Sequence, residues 1–265
     1  MAILGGIKNI LNRSRRGVTK SILLGFSVIA LSACASQDKS MTGGISDPFE
    51  DMNRAVFAFN EAADAVILKP IAEGYRFIVP SPARKGVRNA LRNLKSPVLL
   101  GNELLQGDVD GALKVMTRAM VNSLIGIGGL FDVAGYEGIE YEEEDFGQTL
   151  AVWGVGHGPY VVAPLMGPGS FRDYTGKMVD TVVDPLYWWL TNTEQEEWLY
   201  ARTGTQIIST REELLDVLAE LKMGAIDYYA TVRSVYVQNR AALVADQKKN
   251  DAFLQDIPDY DDDDY

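Results

Sequence analysis

The stretch from Phe146 to Phe171 constrains this chain most: 26 consecutive residues carry no Asp, Glu, Lys or Arg. On length alone it would cross a bilayer, which takes roughly 20 apolar residues. Gly147, Gly154, Gly156, Gly158, Gly167 and Gly169, with Pro159, Pro164 and Pro168, break any such helix. Irregular backbone facing lipid would leave its polar groups unpaired. The stretch must therefore be sheltered by protein, as an apolar loop folded over the core, or line a wet cavity.

Around it the periodicity is helical. Phe49, Met52, Val56, Phe59, Ala63 and Val66 recur at intervals of 3, 4, 3, 4 and 3, which predicts an amphipathic helix ending at Lys69-Pro70. Ser81-Pro82 and Ser96-Pro97 each set a capping side chain before a proline and predict the starts of two further helices. Helical composition continues from Asp110 to Leu124 and breaks at the glycines from Gly126 to Gly129. No proline occurs between Pro185 and Pro258, and Thr210 with Glu213 forms a capping-box pattern ahead of Leu214, Val217, Leu218 and Leu221. With no series of alternating strands and no internal repeat, the expected class is all-α.

The N-terminus reads as an address. Lys8, Arg13, Arg15, Arg16 and Lys20 precede an apolar run, Ser21–Leu31, of about eleven residues, too short to span a membrane and built like a secretory signal. Leu31-Ser32-Ala33-Cys34 resembles a bacterial lipobox, which makes Cys34, the chain's single Cys, the expected lipid-bearing first residue of the mature protein. Acyl chains contribute about 0.8 kcal/mol per buried methylene, so more than one gives lasting anchorage without a span. Ala35 stands where an Asp would resemble an inner-membrane retention signal, which points to the outer membrane and its periplasmic face. Residues 35–47 are small and polar, as a tether requires. Residues 251–265 hold seven Asp and no base, a composition expected to stay disordered.

Charge and composition exclude several functions. Of 265 residues, 47% are apolar and 23% charged, enough for one sizeable core. Acids outnumber bases by 36 to 25, and five of the bases lie in the signal, so nucleic acid is a poor partner. One His and one Cys leave no zinc site of the usual kind. Gly154-x-Gly156-x-Gly158-Pro159 resembles a phosphate loop but lacks the G-x-G-x-x-G spacing and any Lys-Ser/Thr after it. His157 has no marked nucleophile nearby, and the run Glu142-Glu143-Glu144-Asp145 lacks the spacing of a calcium loop.

Two surface features bear on membranes. Arg84, Arg88 and Arg92 recur every four residues beside Lys85 and Lys95; this basic face either meets lipid phosphates or only solubilises its helix. Tyr187, Trp188, Trp189, Trp198 and Tyr200 cluster as aromatics do at headgroup depth, although a core would use them too.

Several motifs then coincide. Asp47-Pro48-Phe49-Glu50 with Asn53-Arg54 and Phe59-Asn60, Asn102 through Gly107, Gly126 through Gly129 with Phe131-Asp132, Glu144 through Leu150, Trp153-Gly154-Val155-Gly156 with Gly158-Pro159-Tyr160, and Gly167-Pro168 with Arg172-Asp173 stand in this order. Together with the lipobox they resemble the MlaA (VacJ) family of outer-membrane lipoproteins; beyond Pro185 the likeness is only general. The resemblance implies a ring of amphipathic helices in the inner leaflet of the outer membrane, around a central amphipathic channel. It also implies association with a trimeric porin and non-enzymatic passage of phospholipid strayed into the outer leaflet. A periplasmic carrier like MlaC would collect that lipid.

On that footing residues 1–33 are the signal, 34–47 the lipidated tether, 48–248 the helical domain and 249–265 the acidic tail. The lipid path is expected along Phe146, Gly147, Gln148, Trp153, Gly154, Gly156, Gly158, Pro159, Tyr160, Gly167, Pro168 and Arg172. Membrane contact and gating fall to Phe49, Met52, Val56, Phe59 and Asn60. No catalytic residue, metal or cofactor is expected beyond the covalent lipid on Cys34, and the competing class is a structural lipoprotein that scaffolds porins without transport.

Overall fold

The computed structural model describes residues 46–245. The signal, Cys34, nearly all of the tether and the acidic tail lie outside the described residues.

Helix α1 (Glu50–Ala63) carries the predicted stripe, but the helical path does not stop at Lys69-Pro70. It passes through one wide turn, Asp64–Leu68, in which the Lys69 N–H donates to the Asp64 carbonyl, and continues as α2 (Lys69–Ile78). Pro70 has no N–H to give, and a turn widened by one residue carries the chain past it without leaving the helix. The two predicted helix starts at Ser81 and Ser96 also merge: α3 (Ser81–Gln106) is one helix of 26 residues, capped by Pro80 rather than by a serine side chain, with Pro97 in its interior. An interior proline costs about 3 kcal/mol; the turn that follows, with Val98, Leu99, Asn102 and Glu103 all buried, offsets it by packing.

Gly107 ends α3 at φ 81°, and α4 (Val109–Leu124) returns along it from an Asp108 cap that accepts the Gly111 N–H at 2.8 Å. Short α5 (Val133–Tyr136) follows the glycine turn, capped by Asp132. The uncharged stretch is more ordered than the expected irregular segment. It opens as α6 (Phe146–Val152), capped by Asp145, then forms β1 (Tyr160–Ala163) and β2 (Gly167–Ser170), an antiparallel hairpin with Tyr160 opposite Ser170 and Ala163 opposite Gly167. Strands of four residues, one of them Gly-Pro-Gly-Ser, are too short and too poor in side chains to show a period of two.

Helices α7 (Phe171–Val183), α8 (Pro185–Asn192), α9 (Glu196–Glu213), α10 (Leu215–Gly224) and α11 (Tyr228–Val244) complete the chain. Thr210 and Glu213 do not begin a helix; they lie in the last turn of α9, and α10 starts without a side-chain cap. The expected helical class holds, with one hairpin added. No described helix is long and apolar enough to cross a membrane.

The polarity of this body is inverted. Among the described residues twelve apolar side chains are buried against fifteen polar or charged ones, while thirty-nine large apolar residues are exposed. Helix α4 shows why: Val109, Leu113, Met116, Met120 and Leu124 form an outward apolar stripe, and Arg118 and Asn122 turn inward. In α7, Phe171, Met178 and Val182 face out while Arg172, Asp173 and Gly176 are buried. A small hydrophobic cluster of Tyr160, Val162 and Tyr229, with Val56, Phe57 and Tyr236 against it, ties the hairpin to α1 and α11.

Candidate functional site

Two asparagines seven residues apart on α1 hold the hairpin. Asn53, fully buried, donates to the Tyr160 carbonyl at 3.1 Å and accepts the Val162 N–H at 2.9 Å. One turn-pair further on, Asn60 donates to the Ala163 carbonyl at 3.0 Å and accepts the Leu165 N–H at 2.8 Å. Each amide presents one donor and one acceptor, so it pairs with a strand edge as another strand would. The clamp holds the tip, where Leu165 sits at φ 61° and Leu165 and Met166 are exposed.

Below the hairpin, charge is buried in pairs. Arg240 of α11 reaches Asp145 at 2.7 Å and Asp173 at 3.0 Å, and the Tyr236 hydroxyl also donates to Asp173. Burial alone would raise the Asp145 carboxyl, but the Arg240 hydrogen bond and charge carry it below its ordinary range. Burial lowers the His157 imidazole, and the neighbouring Arg172 charge adds to this. Helices α6 and α7 touch through glycine: a Cβ on Gly176 would lie 2.8 Å from the Gly147 Cα.

The arginines of the basic face of α3 have protein partners. Buried Glu212 of α9 pairs with Arg76, Arg84 and Arg88 at 2.9, 3.2 and 3.2 Å, and Glu213 takes Arg92 at 3.8 Å. These arginines fasten α2 and α3 to α9. The acidic run before α6 is likewise consumed: Glu142 pairs with Lys114 and Glu143 with Lys95, and Glu144 accepts a hydrogen bond from Gln106 at 2.7 Å. Among the described residues no His, Cys, Asp or Glu cluster is arranged to hold a metal.

A cavity of about 640 Å³ opens between α3, α7, α8 and α9. Its wall mixes charge with apolar and aromatic surface: Lys95 and Val98 from α3, Asp180 and Thr181 from α7, Asp184 and Tyr187 at α8, and Glu196, Leu199, Tyr200, Arg202, Thr203 and Gly204 from α9. Arg202 is tied to Asp184 at 2.6 Å. Among the described residues Asp180 accepts hydrogen bonds from neutral donors, Asn102 at 2.9 Å and the Phe146 N–H at 3.0 Å, and burial raises its carboxyl above the ordinary range against the nearby charge of Lys95.

The residues predicted for a lipid path come together in space, but beside this cavity rather than around it; none of them lines it. Phe146 meets Trp153 edge to face at 5.7 Å, and the Trp153 indole donates to the Leu105 carbonyl at 3.0 Å. Gly147, Gln148 and Tyr160 are buried, as is Arg172, while Gly154 and Gly156 are exposed and Gly158, Pro159, Gly167 and Pro168 are half-buried. Of the α1 set, Phe49, Met52 and Phe59 are exposed, Val56 packs on the hydrophobic cluster, and Asn60 is half-buried in the clamp. The cavity residues had a signal of their own: Glu196, Leu199, Tyr200, Thr203 and Gly204 follow one helix face at 3, 1, 3 and 1.

Comparison with known proteins decides the family. The description "MlaA lipoprotein" matches residues 45–243. This chain belongs to the MlaA family. The match reaches well past Pro185, so the C-terminal helices are as much part of the family as the motif-bearing half. The MlaA of Escherichia coli, an "intermembrane phospholipid transport system lipoprotein", is 36% identical over 219 residues, covering 81% of this chain and 84% of its own. That of Haemophilus influenzae is 34% identical over 236 residues, covering 87% and 92%. A solved MlaA chain, from work on the "structural basis for maintenance of bacterial outer membrane lipid asymmetry", superposes with a TM-score of 0.66 at 38% identity. It covers 75% of this chain and 99% of its own.

Proposed function

We propose that this protein is a lipid-anchored outer-membrane component that lets phospholipid pass from the outer leaflet toward a periplasmic carrier, without enzymatic chemistry. The supporting observation is the inverted polarity: α4 and α7 turn apolar stripes outward and arginine, aspartate and asparagine inward. Such a body is at home within a leaflet, with lipid outside and water inside. Its relatives' names supply the cargo, phospholipid, and the outer-membrane setting. Withdrawing two chains of about fifteen methylenes each into water would cost on the order of 24 kcal/mol at about 0.8 per methylene. A route therefore has to shelter the headgroup while the tails stay in apolar surroundings. The cavity between α3, α7, α8 and α9 offers such a wall. Association with a trimeric porin and hand-over to a carrier like MlaC complete the proposal, and Cys34 is its acylated anchor.

Gly204 provides the test. It lines the cavity on α9, and a Cβ there meets nothing within 4 Å. Gly204→Phe is expected to fold normally, fill the cavity, and raise surface-exposed phospholipid and detergent sensitivity to the level of a strain lacking the protein. A well-expressed, membrane-located variant with normal outer-leaflet composition would overturn the cavity as the route. Charging Gly156 or Gly158 separately tests the hairpin side, and Cys34→Ala the anchor.

A further inference from the structure

The cavity wall is selective in charge. Its two bases are engaged, Lys95 with Glu143 at 3.1 Å and Arg202 with Asp184 at 2.6 Å. Of its three acids, Asp184 is the one held in an ion pair within the wall, and Asp180 feels the charge of Lys95 without bonding to it. Asp180 is satisfied by an amide side chain and a backbone N–H, and Glu196, in the first turn of α9, takes part in no hydrogen bond or ion pair with the described residues. The wall thus carries one more acid than base, and Glu196 lines the same space as Tyr187 and Tyr200. A carboxylate without a cation beside tyrosine rings attracts an ammonium, through Coulomb attraction and the ring faces. Lys95 and Arg202 each use one donor in their pairs and keep others for a phosphodiester. The volume of about 640 Å³ falls within the roughly 300–1,000 Å³ typical of small-ligand sites.

We propose that this cavity is a headgroup site selective for zwitterionic phospholipid bearing an ammonium, with Glu196 receiving the ammonium and Arg202 and Lys95 the phosphate. Anionic phospholipid brings the phosphate without the ammonium and meets the surplus acid. The inference rests on the phospholipid-passage proposal and adds to it the class of headgroup.

The experiment uses the full lipidated chain, purified in detergent and equilibrated with equal amounts of phosphatidylethanolamine and phosphatidylglycerol, with bound lipid quantified by mass spectrometry. The wild-type chain is expected to enrich phosphatidylethanolamine by about fivefold, the scale of one partly exposed ion pair. Glu196→Gln brings the ratio to about unity and Glu196→Lys inverts it, with total bound lipid unchanged. The partnerless position of Glu196 keeps the fold out of the comparison, which circular dichroism checks. Equal uptake of both lipids by the wild type, or a ratio indifferent to both substitutions, overturns the headgroup assignment and leaves lipid passage standing. Failure of the wild-type chain to hold either lipid overturns the passage proposal itself. Excess water-soluble glycerophosphoethanolamine is expected not to displace the lipid; displacement would make the site one for a free phosphodiester and overturn its assignment to lipid.

Discussion

Arg240 concentrates the largest single-residue risk in the molecule. It is buried, and it serves two carboxylates that no other cation reaches as closely, Asp145 at 2.7 Å and Asp173 at 3.0 Å. Arg240→Met leaves half-buried Asp145 without its ion-pair partner and buried Asp173 with only Arg172, at 3.4 Å, as its cation, and is expected to lower unfolding stability by about 3–5 kcal/mol, measured by chemical denaturation in detergent. The same pair sets an acid limit. Asp145 titrates below its unfolded value when folded, so its contribution is complete above about pH 4 and is lost as pH falls further. Thermal midpoints of the wild type are therefore expected to hold above about pH 4 and to drop as pH falls below it. In Arg240→Met that drop shrinks, because burial without its partner pushes Asp145 the other way. Nothing in the sequence paired these residues: Asp145 and Arg240 are 95 positions apart. The arginines of α3 teach the same lesson. Their four-residue spacing was legible, but their partner, Glu212, was visible only in three dimensions.

At the level of elements, close approach decides which glycines matter. Gly147 and Gly176 let α6 and α7 meet backbone to backbone. Gly176→Ala is expected to destabilise by about 1–3 kcal/mol through forced separation of the two helices. Gly204→Ala, on an open helix face, is expected to stabilise by up to about 1 kcal/mol from helix propensity alone. Opposite signs for the same chemical change, measured as thermal-midpoint shifts, would check the packing directly. Helix existence was well marked in the sequence, and the caps at Asp108, Asp132, Asp145, Ser170, Asp184 and Asp227 follow ordinary preferences. Helix ends were less legible where proline was involved. Pro70 and Pro97 read as breaks, yet a widened turn and a buried flank carry the helices through.

For the whole molecule, the outward stripe of α4 is the feature to test. Leu113, Met116 and Met120 are exposed, so replacing all three with Gln is expected to leave helix content unchanged. Each buried apolar side chain contributes about 1.5–3 kcal/mol to membrane transfer. In a Cys34→Ala background, which removes the proposed anchor, the triple substitution is therefore expected to weaken flotation with phospholipid vesicles by at least about tenfold. Unchanged flotation would place lipid against another face.

The amino-acid order by itself determined a helical class and an uncharged, proline-broken segment unfit to span a bilayer, because these depend on periodicity and local chain geometry; the N-terminal lipoprotein address is an expectation from a short motif outside the described residues. The sequence also carried the family, through motifs whose order survives without any fold in hand. Tertiary structure alone decided which face of each amphipathic helix looks outward, which acid each arginine meets, and where the cavity lies. A helical stripe is equally apolar whether it packs on a core or on lipid, and only the placement of neighbouring helices distinguishes the two.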